Sequence, residues 1–197
     1  MHMASSFLRL LIGITTAIIF IAVFTPTDSV SSVAQSFTTP TALRNLDVTI
    51  SQEEKDPVLM RAAVTNNNEH PVTLLNYGSP LDALAIQLGT LYITPKGDSK
   101  PLEILQIEGT RLWPPLDDAL IEIAAGQTAI WEFTLQEPVV PMEMVFEGAT
   151  VQLKGTWTAV WAQEKEGIDP SKFEEGTPIN GTLTGPYKSN ILDIEVA

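Results

Sequence analysis

The segment that decides the fold is LDVTIS, residues 46–51, in which apolar and polar residues alternate. Successive side chains of a β-strand point to opposite faces of a sheet, so this period of two predicts a half-buried strand. A second apolar segment, VLMRAAVT at 58–65, precedes NNNEHP at 66–71, whose short polar side chains favour a turn. The segment VTLL at 72–75 then predicts a third strand. The chain is therefore expected to form short strands joined by turns.

The same signals recur through the rest of the chain and predict five more strands, at 91–94, 102–105, 129–135, 150–161 and 191–196. Residues 117–121 predict one helical turn beginning at Asp117, because an acidic residue is favoured at a helix N-terminus. Eight short strands with little helix predict an all-β fold, an antiparallel β-sandwich with an immunoglobulin-like outline. This domain is predicted to span residues 43–197, with a looser insertion at 164–178, after a flexible lead-in at 35–42.

A separate segment precedes this domain. Residues 10–24 form an apolar run of fifteen residues without a charge, directly after Arg9. A bilayer-spanning helix needs about 20 apolar residues, whereas the core of a secretory signal needs about 7–15. The small residues Ser32 and Ala34 suit signal peptidase, so residues 1–34 are predicted to be a signal peptide cleaved after Ala34. The protein is thus expected to be secreted. The alternative is a membrane anchor formed by residues 10–24.

The amino-acid composition argues against several classes of function. The 197 residues include 11 basic and 24 acidic side chains, a net charge of −13, which argues against a nucleic-acid partner. The absence of cysteine removes disulfides, thiolate metal sites and cysteine nucleophiles. Of the two histidines, His2 lies in the predicted leader, which leaves His70 without a companion for a metal site or a Ser-His-Asp triad. We therefore predict a non-enzymatic protein with no catalytic residue, metal ligand or cofactor.

The candidate partner-binding residues lie between the predicted strands. Trp113 precedes two prolines in the longest loop, and a large aromatic residue in such a loop indicates a contact surface or a buried plug. Arg111 lies in the same loop, and Asp117 and Asp118 follow it. The sequon Asn180-Gly181-Thr182 makes Asn180 a candidate glycosylation site in an exported protein.

Carboxylate pairs and tryptophans allow alternative interpretations. Adjacent carboxylates, as at 53–54, 117–118 and 174–175, could perform acid–base chemistry, but neighbours in a strand point to opposite faces, which favours solvated surfaces or turns. Trp157 and Trp161 are four residues apart and are predicted to share one side of a strand. Such a pair would either pack between the sheets or, if exposed, stack on the sugar rings of a polysaccharide.

The chain also resembles a known family. The segments LDVTI at 46–50, PLDDAL at 115–120, AAGQ at 124–127 and PYKSN at 186–190 occur in this order and are similar to the propeptide of fungal deuterolysins. These are secreted zinc metalloproteases made as a signal peptide, a β-rich prodomain and a catalytic domain. The HExxH motif of the catalytic half is absent here. The resemblance therefore implies assistance to folding, or inhibition of a protease, rather than proteolysis.

Three hypotheses follow from these patterns. The first is a secreted prodomain-like protein that acts in trans on a metalloprotease, through Asp117 or Asp118 reaching the zinc, through the loop at 111–115, or through a free strand edge. The second is a β-sandwich that binds carbohydrate or cell wall through aromatic side chains. The third is the truncated product of a deuterolysin-like gene.

Overall fold

The computed structural model describes residues 39–174, 177 and 179–197. The predicted leader, its cleavage after Ala34, the possible anchor at 10–24 and lead-in residues 35–38 lie outside this part of the chain. In this part of the chain the helical turn α1 precedes nine strands, and a second turn, α2, lies between β6 and β7. Their bounds are α1 Thr41–Arg44, β1 Leu46–Lys55, β2 Val58–Asn66, β3 Val72–Leu75, β4 Leu91–Pro95, β5 Leu120–Ile123, β6 Thr128–Leu135, α2 Met142–Val145, β7 Ala149–Trp161, β8 Leu183–Lys188 and β9 Leu192–Ile194.

The strands form two sheets with antiparallel pairing throughout. The first sheet has the order β1-β2-β6. The second has the order β4-β7-β3-β5, and both β8 and β9 pair with the long strand β7. Inward side chains of both sheets form one apolar core, to which Val48 and Met60 contribute from the first sheet and Leu74 and Val151 from the second. The predicted antiparallel sandwich is therefore confirmed.

The alternation of apolar residues predicted most strands correctly. In β2 every second residue is buried, so Val58, Met60, Ala62 and Val64 face the core while their neighbours are half exposed. Seven of the eight predicted strands are present in the described residues, with ends shifted by a few residues. The first sheet thus follows directly from the period of two in the sequence.

The exceptions have identifiable causes. Residues 102–105 were predicted to be a strand but form no ladder; the amide of Leu102 donates to the carbonyl of Ile93 (2.7 Å), and the half-buried segment packs on the core. Strand β5 was missed because the predicted helical turn ends early, at Ala119. Asp117 begins this turn without a capping bond from its side chain. Strand β8 was missed because it contains glycine and proline, which are depleted in strands.

A bulge in β7 corrects the prediction for the two tryptophans. Trp157 pairs with Gly185, but the next pair is Val160 with Leu183, so the register shifts between them. A bulge inserts residues into one strand and thereby changes which side chains face inward. Trp157 and Val160 both lie in the main core. Trp161 lies instead in a second apolar cluster, whose buried members are Leu75, Ala119, Leu120, Ala159, Trp161, Ile168 and Phe173. The prediction that Trp157 and Trp161 share one side was wrong, and both are buried.

Side-chain amides cover the outer edge of β1. The amide of Asn190 accepts a hydrogen bond from the backbone N–H of Ile50 (2.8 Å) and donates to its carbonyl oxygen (3.1 Å). The amide of Gln52 does the same with Glu195, donating to its carbonyl (2.6 Å) and accepting from its N–H (3.0 Å). Asn190 thus substitutes for a strand partner of Ile50, whereas Gln52, which belongs to β1 itself, also donates to the carbonyl of Glu54 (3.1 Å) and holds the backbone of Glu195 beside this edge.

We expect Asn190→Ala to lower the free energy of unfolding by about 2 kcal/mol, because it leaves two backbone groups of the buried Ile50 without partners. The adjacent side chain of Ile191 is exposed, so Ile191→Ala serves as a matched control and is expected to change stability by less than about 0.5 kcal/mol. Urea denaturation of both variants measures the difference. Equal stabilities would show that the amide of Asn190 is dispensable.

Candidate functional site

The outer edge of β6 is a candidate interaction site. This strand has eight residues and pairs only with β2. Among the described residues, its backbone makes no hydrogen bond outside that ladder. A strand edge presents a row of free N–H and C=O groups that can pair with another chain. Side-chain amides cover the outer edge of β1, whereas no such cover lies along the outer edge of β6 among the described residues.

The side chains of β6 are unusually apolar for an edge strand. Ile130 is 54% exposed and Trp131 is 38% exposed. Natural edge strands are often protected by lysine, proline or a bulge, and the sequence TAIWEFTL contains no lysine or proline. The single charge, Glu132, accepts hydrogen bonds from Arg61 of β2 (2.8 and 3.1 Å). The strand therefore combines free backbone groups with exposed apolar side chains.

A second candidate site is a cavity of about 170 Å³ beside the second apolar cluster, which we call the aromatic cavity. Three aromatic side chains line it, those of Trp113, Trp161 and Phe173. The ring of Trp161 stacks on Phe173 with centroids 5.1 Å apart and planes 8° from parallel. The indole N–H of Trp161 donates to the hydroxyl oxygen of Thr182 (3.0 Å). This wall is therefore fixed by packing and by a hydrogen bond.

The loop at 111–115 supplies the third aromatic residue that lines the cavity, Trp113. Its ring meets Tyr77 edge-on, with centroids 5.7 Å apart. The guanidinium of Arg111 lies 4.9 Å from the Tyr77 ring and pairs with the carboxylate of Asp82, which is 2% exposed. The charge of Arg111 is thus already paired within the fold, and the half-buried Trp113 is held by its neighbours rather than projecting freely.

The other predicted residues lie on the surface. Asp117 pairs with Lys165 (2.8 Å), and Asp118 is exposed beside it. His70 is an exposed turn residue, as predicted. Asn180 is exposed in a turn next to Gly181, so its amide is accessible to a modifying enzyme. Asn180 lies between Ile179 and Thr182 along the chain, and both of these residues line the aromatic cavity. The candidate glycosylation site therefore lies near this cavity.

Electrostatic shifts occur away from these sites. Burial raises the pKa of the Tyr187 hydroxyl, which donates to the carbonyl of Gly78 (2.9 Å). Hydrogen bonds from the Ser171 hydroxyl and from Lys55 lower the pKa values of Asp169 and Glu195, respectively. The hydrogen bond to Glu132 raises the pKa of Arg61. Each of these pKa shifts is caused by burial or by a hydrogen bond outside the two candidate sites' binding surfaces or on the side of β6 that faces β2.

Within 39–174, 177 and 179–197, no three His, Asp or Glu side chains are grouped so that they could hold a metal ion. In the same part of the chain, no helix has the length and apolar character needed to cross a bilayer.

The sequence indicated individual segments of both candidate sites but not how the fold brings them together. It predicted strand 129–135 and considered pairing at a free strand edge, but it could not say which strand would lie at an edge. The walls of the aromatic cavity come from segments as far apart as Leu75, Trp113 and Ile179. Trp161 was expected on the same side as Trp157, and only the bulge directs it to this cavity.

Similarity to known sequences shows the family of this chain. A curated relative from Arthroderma benhamiae, named an uncharacterized secreted protein, is 32% identical over 143 residues, which cover 70% of this chain and 69% of the relative. A family model for the immunoglobulin-like domain matches residues 45–196, a range that begins one residue before β1 and ends two residues after β9. Neither match carries the deuterolysin resemblance, which stays a prediction. This chain belongs to the immunoglobulin-like domain family.

Proposed function

We propose that the protein is an exported, non-catalytic binding domain that recruits a partner protein by strand pairing along β6. The observation that carries this proposal is the contrast between the two edges of the first sheet. Asn190 and Gln52 cover the edge of β1, whereas the backbone edge of β6 has no such cover among the described residues. An extended segment of a partner would complete the sheet and bury Ile130 and Trp131.

Export is supported by two observations. The apolar run at 10–24 has the length of a signal-peptide core. The relative that aligns over 70% of this chain is named a secreted protein. Detection of the protein in the culture medium, with an N-terminus at Gln35, would establish both secretion and the predicted cleavage after Ala34.

The partner is expected to be a protein that is less acidic than this chain. A net charge of −13 makes two copies repel each other, which disfavours self-pairing of β6 edges at low ionic strength. The resemblance to deuterolysin propeptides suggests a secreted zinc metalloprotease, with this domain as its inhibitor or folding assistant. Strand pairing requires no metal ligand, so this mode suits a chain whose candidate acids lie on the surface.

We expect the purified domain to inhibit a deuterolysin-type protease at micromolar concentration and Ile130→Lys to raise the inhibition constant at least about tenfold. A lysine at an exposed edge opposes pairing because its charge would have to be buried in the complex. Met144→Lys is the matched control, because Met144 is 51% exposed in α2 and Ile130 is 54% exposed in β6. The control is expected to change the inhibition constant less than about twofold.

Hydrogen exchange of the complex provides a second measurement. The outward-facing amides of residues 128–135, which do not bond to β2, should become protected when the partner binds, because strand pairing occupies them. Inhibition without protection of β6 would contradict the edge mechanism and direct attention to Asp117, Asp118 or the 111–115 loop. Absence of both inhibition and refolding assistance for such proteases would remove the metalloprotease as partner.

A polysaccharide partner is the second candidate, and the exposed ring of Trp131 is the observation that favours it. Trp157 and Trp161 cannot serve as a stacking surface, because both are buried. Retention on insoluble polysaccharide that is lost in Trp131→Ala would support this alternative. Failure of the unmodified domain to bind any such polysaccharide would end it.

A further inference from the structure

We propose that the aromatic cavity binds a small, neutral, ring-shaped molecule that carries one hydrogen-bond acceptor. This site lies on the second apolar cluster and does not involve β6, so it is independent of the function proposed above. Three observations determine the ligand class: the shape and chemistry of the walls, an indole N–H without a partner, and the charge around the cavity.

The walls favour a flat, apolar molecule. The cavity is partly open to solvent, and its volume of about 170 Å³ is comparable in size to an enclosed apolar cavity of about 150 Å³ that takes up benzene. Aromatic rings of Trp113, Trp161 and Phe173 supply flat surfaces, and Leu75 and Ala159 supply aliphatic ones. A ring of benzene size therefore fits this space with contacts on several sides.

Trp113 supplies the polar specificity. Its indole Nε1 is buried and, among the described residues, has no hydrogen-bond acceptor. It is the one buried side-chain donor or acceptor left unpaired in that part of the chain, whereas the indole of Trp161 is paired with Thr182. Buried polar groups are normally paired, and an unpaired one calls for a physical explanation. A carbonyl or ether oxygen on a bound molecule would provide the missing acceptor after a small rotation of the Trp113 ring, because the Nε1 atom has almost no accessible surface in this structure.

The charges around the cavity disfavour an anion. Glu174 is the single charged residue among its described lining residues, and the whole chain carries −13. Four threonines, at 158, 177, 182 and 184, also line it and present hydroxyl and methyl groups rather than cations. A neutral molecule avoids repulsion from Glu174, and no basic side chain in the described lining would compensate a carboxylate.

Two probe molecules of nearly equal shape test this inference, acetophenone with a carbonyl oxygen and ethylbenzene without one. Titrations followed by NMR of the protein and of each probe give the dissociation constants. We expect saturable binding of both probes, with a constant on the order of 1 mM or tighter for acetophenone. Acetophenone should bind about three to ten times more tightly than ethylbenzene, since it alone pairs with the indole of Trp113.

Three variants of the protein test whether the probes bind in the aromatic cavity and whether the indole of Trp113 causes the preference for acetophenone. Trp113→Phe removes the donor and keeps an aromatic wall, so the preference for acetophenone should fall to within about twofold of unity. Trp131→Phe, at an exposed tryptophan outside the cavity, should retain the full preference. Thr184→Leu adds bulk at an exposed lining position and should weaken both probes at least about fivefold.

The possible results of the titrations distinguish a correct proposal from a wrong one. Absence of saturable binding of either probe overturns the proposal. Equal affinities for the two probes, or a preference that survives Trp113→Phe, overturn the role of the indole donor. Binding that Thr184→Leu leaves unchanged places the probes elsewhere and also overturns the proposal. Thermal unfolding of each variant, followed by circular dichroism, confirms that a loss of binding comes from a folded protein.

Discussion

Asn66→Asp is expected to lower the free energy of unfolding by about 4 kcal/mol. The side chain of Asn66 is fully buried at the end of β2. Its Nδ2 donates to the carbonyl oxygens of His70 (2.9 Å) and Ile123 (2.8 Å), and its Oδ1 accepts from the backbone N–H (3.0 Å) and the side-chain amide (2.9 Å) of Asn68. An aspartate loses both donated bonds and places a negative charge against two carbonyl oxygens.

The neighbouring position provides the control for this prediction. Asn67 is exposed, so Asn67→Asp makes the same chemical change in the same turn and is expected to cost less than about 0.5 kcal/mol. Denaturant unfolding measures both variants. Lowering the pH should recover part of the deficit of Asn66→Asp, because protonation removes the buried charge. Similar stabilities of the two variants at neutral pH would contradict the role assigned to this amide.

Trp157→Ala is expected to destabilise the protein by about 3–5 kcal/mol. The side chain of Trp157 is 1% exposed and packs against Tyr187, with ring centroids 4.9 Å apart. Removal of such a large buried ring loses the hydrophobic transfer energy and leaves a cavity that the surrounding strands can fill only partly. Total stabilities of domains are about 5–15 kcal/mol, so the variant is expected to be near the limit of folding at 37 °C.

Trp131→Ala is the matched control, because it deletes the same side chain from an exposed position of β6. Because the ring of Trp131 is still partly buried opposite Ala62, we expect a loss of at most about 2 kcal/mol in thermal or urea unfolding, well below that of Trp157→Ala. A large loss at Trp131 and a small one at Trp157 would reverse the assignment of inner and outer tryptophans. The comparison also separates a loss of polysaccharide or protease binding caused by unfolding from one caused by a missing contact.

The sequence could predict where strands occur along the chain but not which strands lie at the edge of a sheet. The alternation in LDVTIS and in VLMRAAVT is a local property, and it correctly indicated β1, β2 and the faces that they bury. Whether a strand lies inside a sheet or at its edge depends on which distant segment lies beside it. The amide of Asn190 reaches Ile50 across 140 residues, and no periodicity in either segment reveals that contact.

The candidate sites depend on contacts between residues that are far apart in the sequence more strongly than the strands do. The sequence pointed to Arg111 and Trp113 as partner contacts, but the structure pairs Arg111 with the buried Asp82 and packs Trp113 against Tyr77. Asp82 lies in a stretch with no strand signal, so its burial was not predictable. The unpaired indole of Trp113 follows from the surrounding residues and could not be read from the loop alone.

The sequence by itself determined the fold class, the positions of most strands and the absence of cysteine chemistry, because hydrophobic alternation and composition are carried by the letters in order. The tertiary structure alone decided that Trp157 and Trp161 face different clusters, that the β1 edge is covered and the β6 edge is free, and that a cavity lies beside Trp113. A single bulge reverses the facing of every later residue in a strand, and side-chain bonds between remote segments have no local signature.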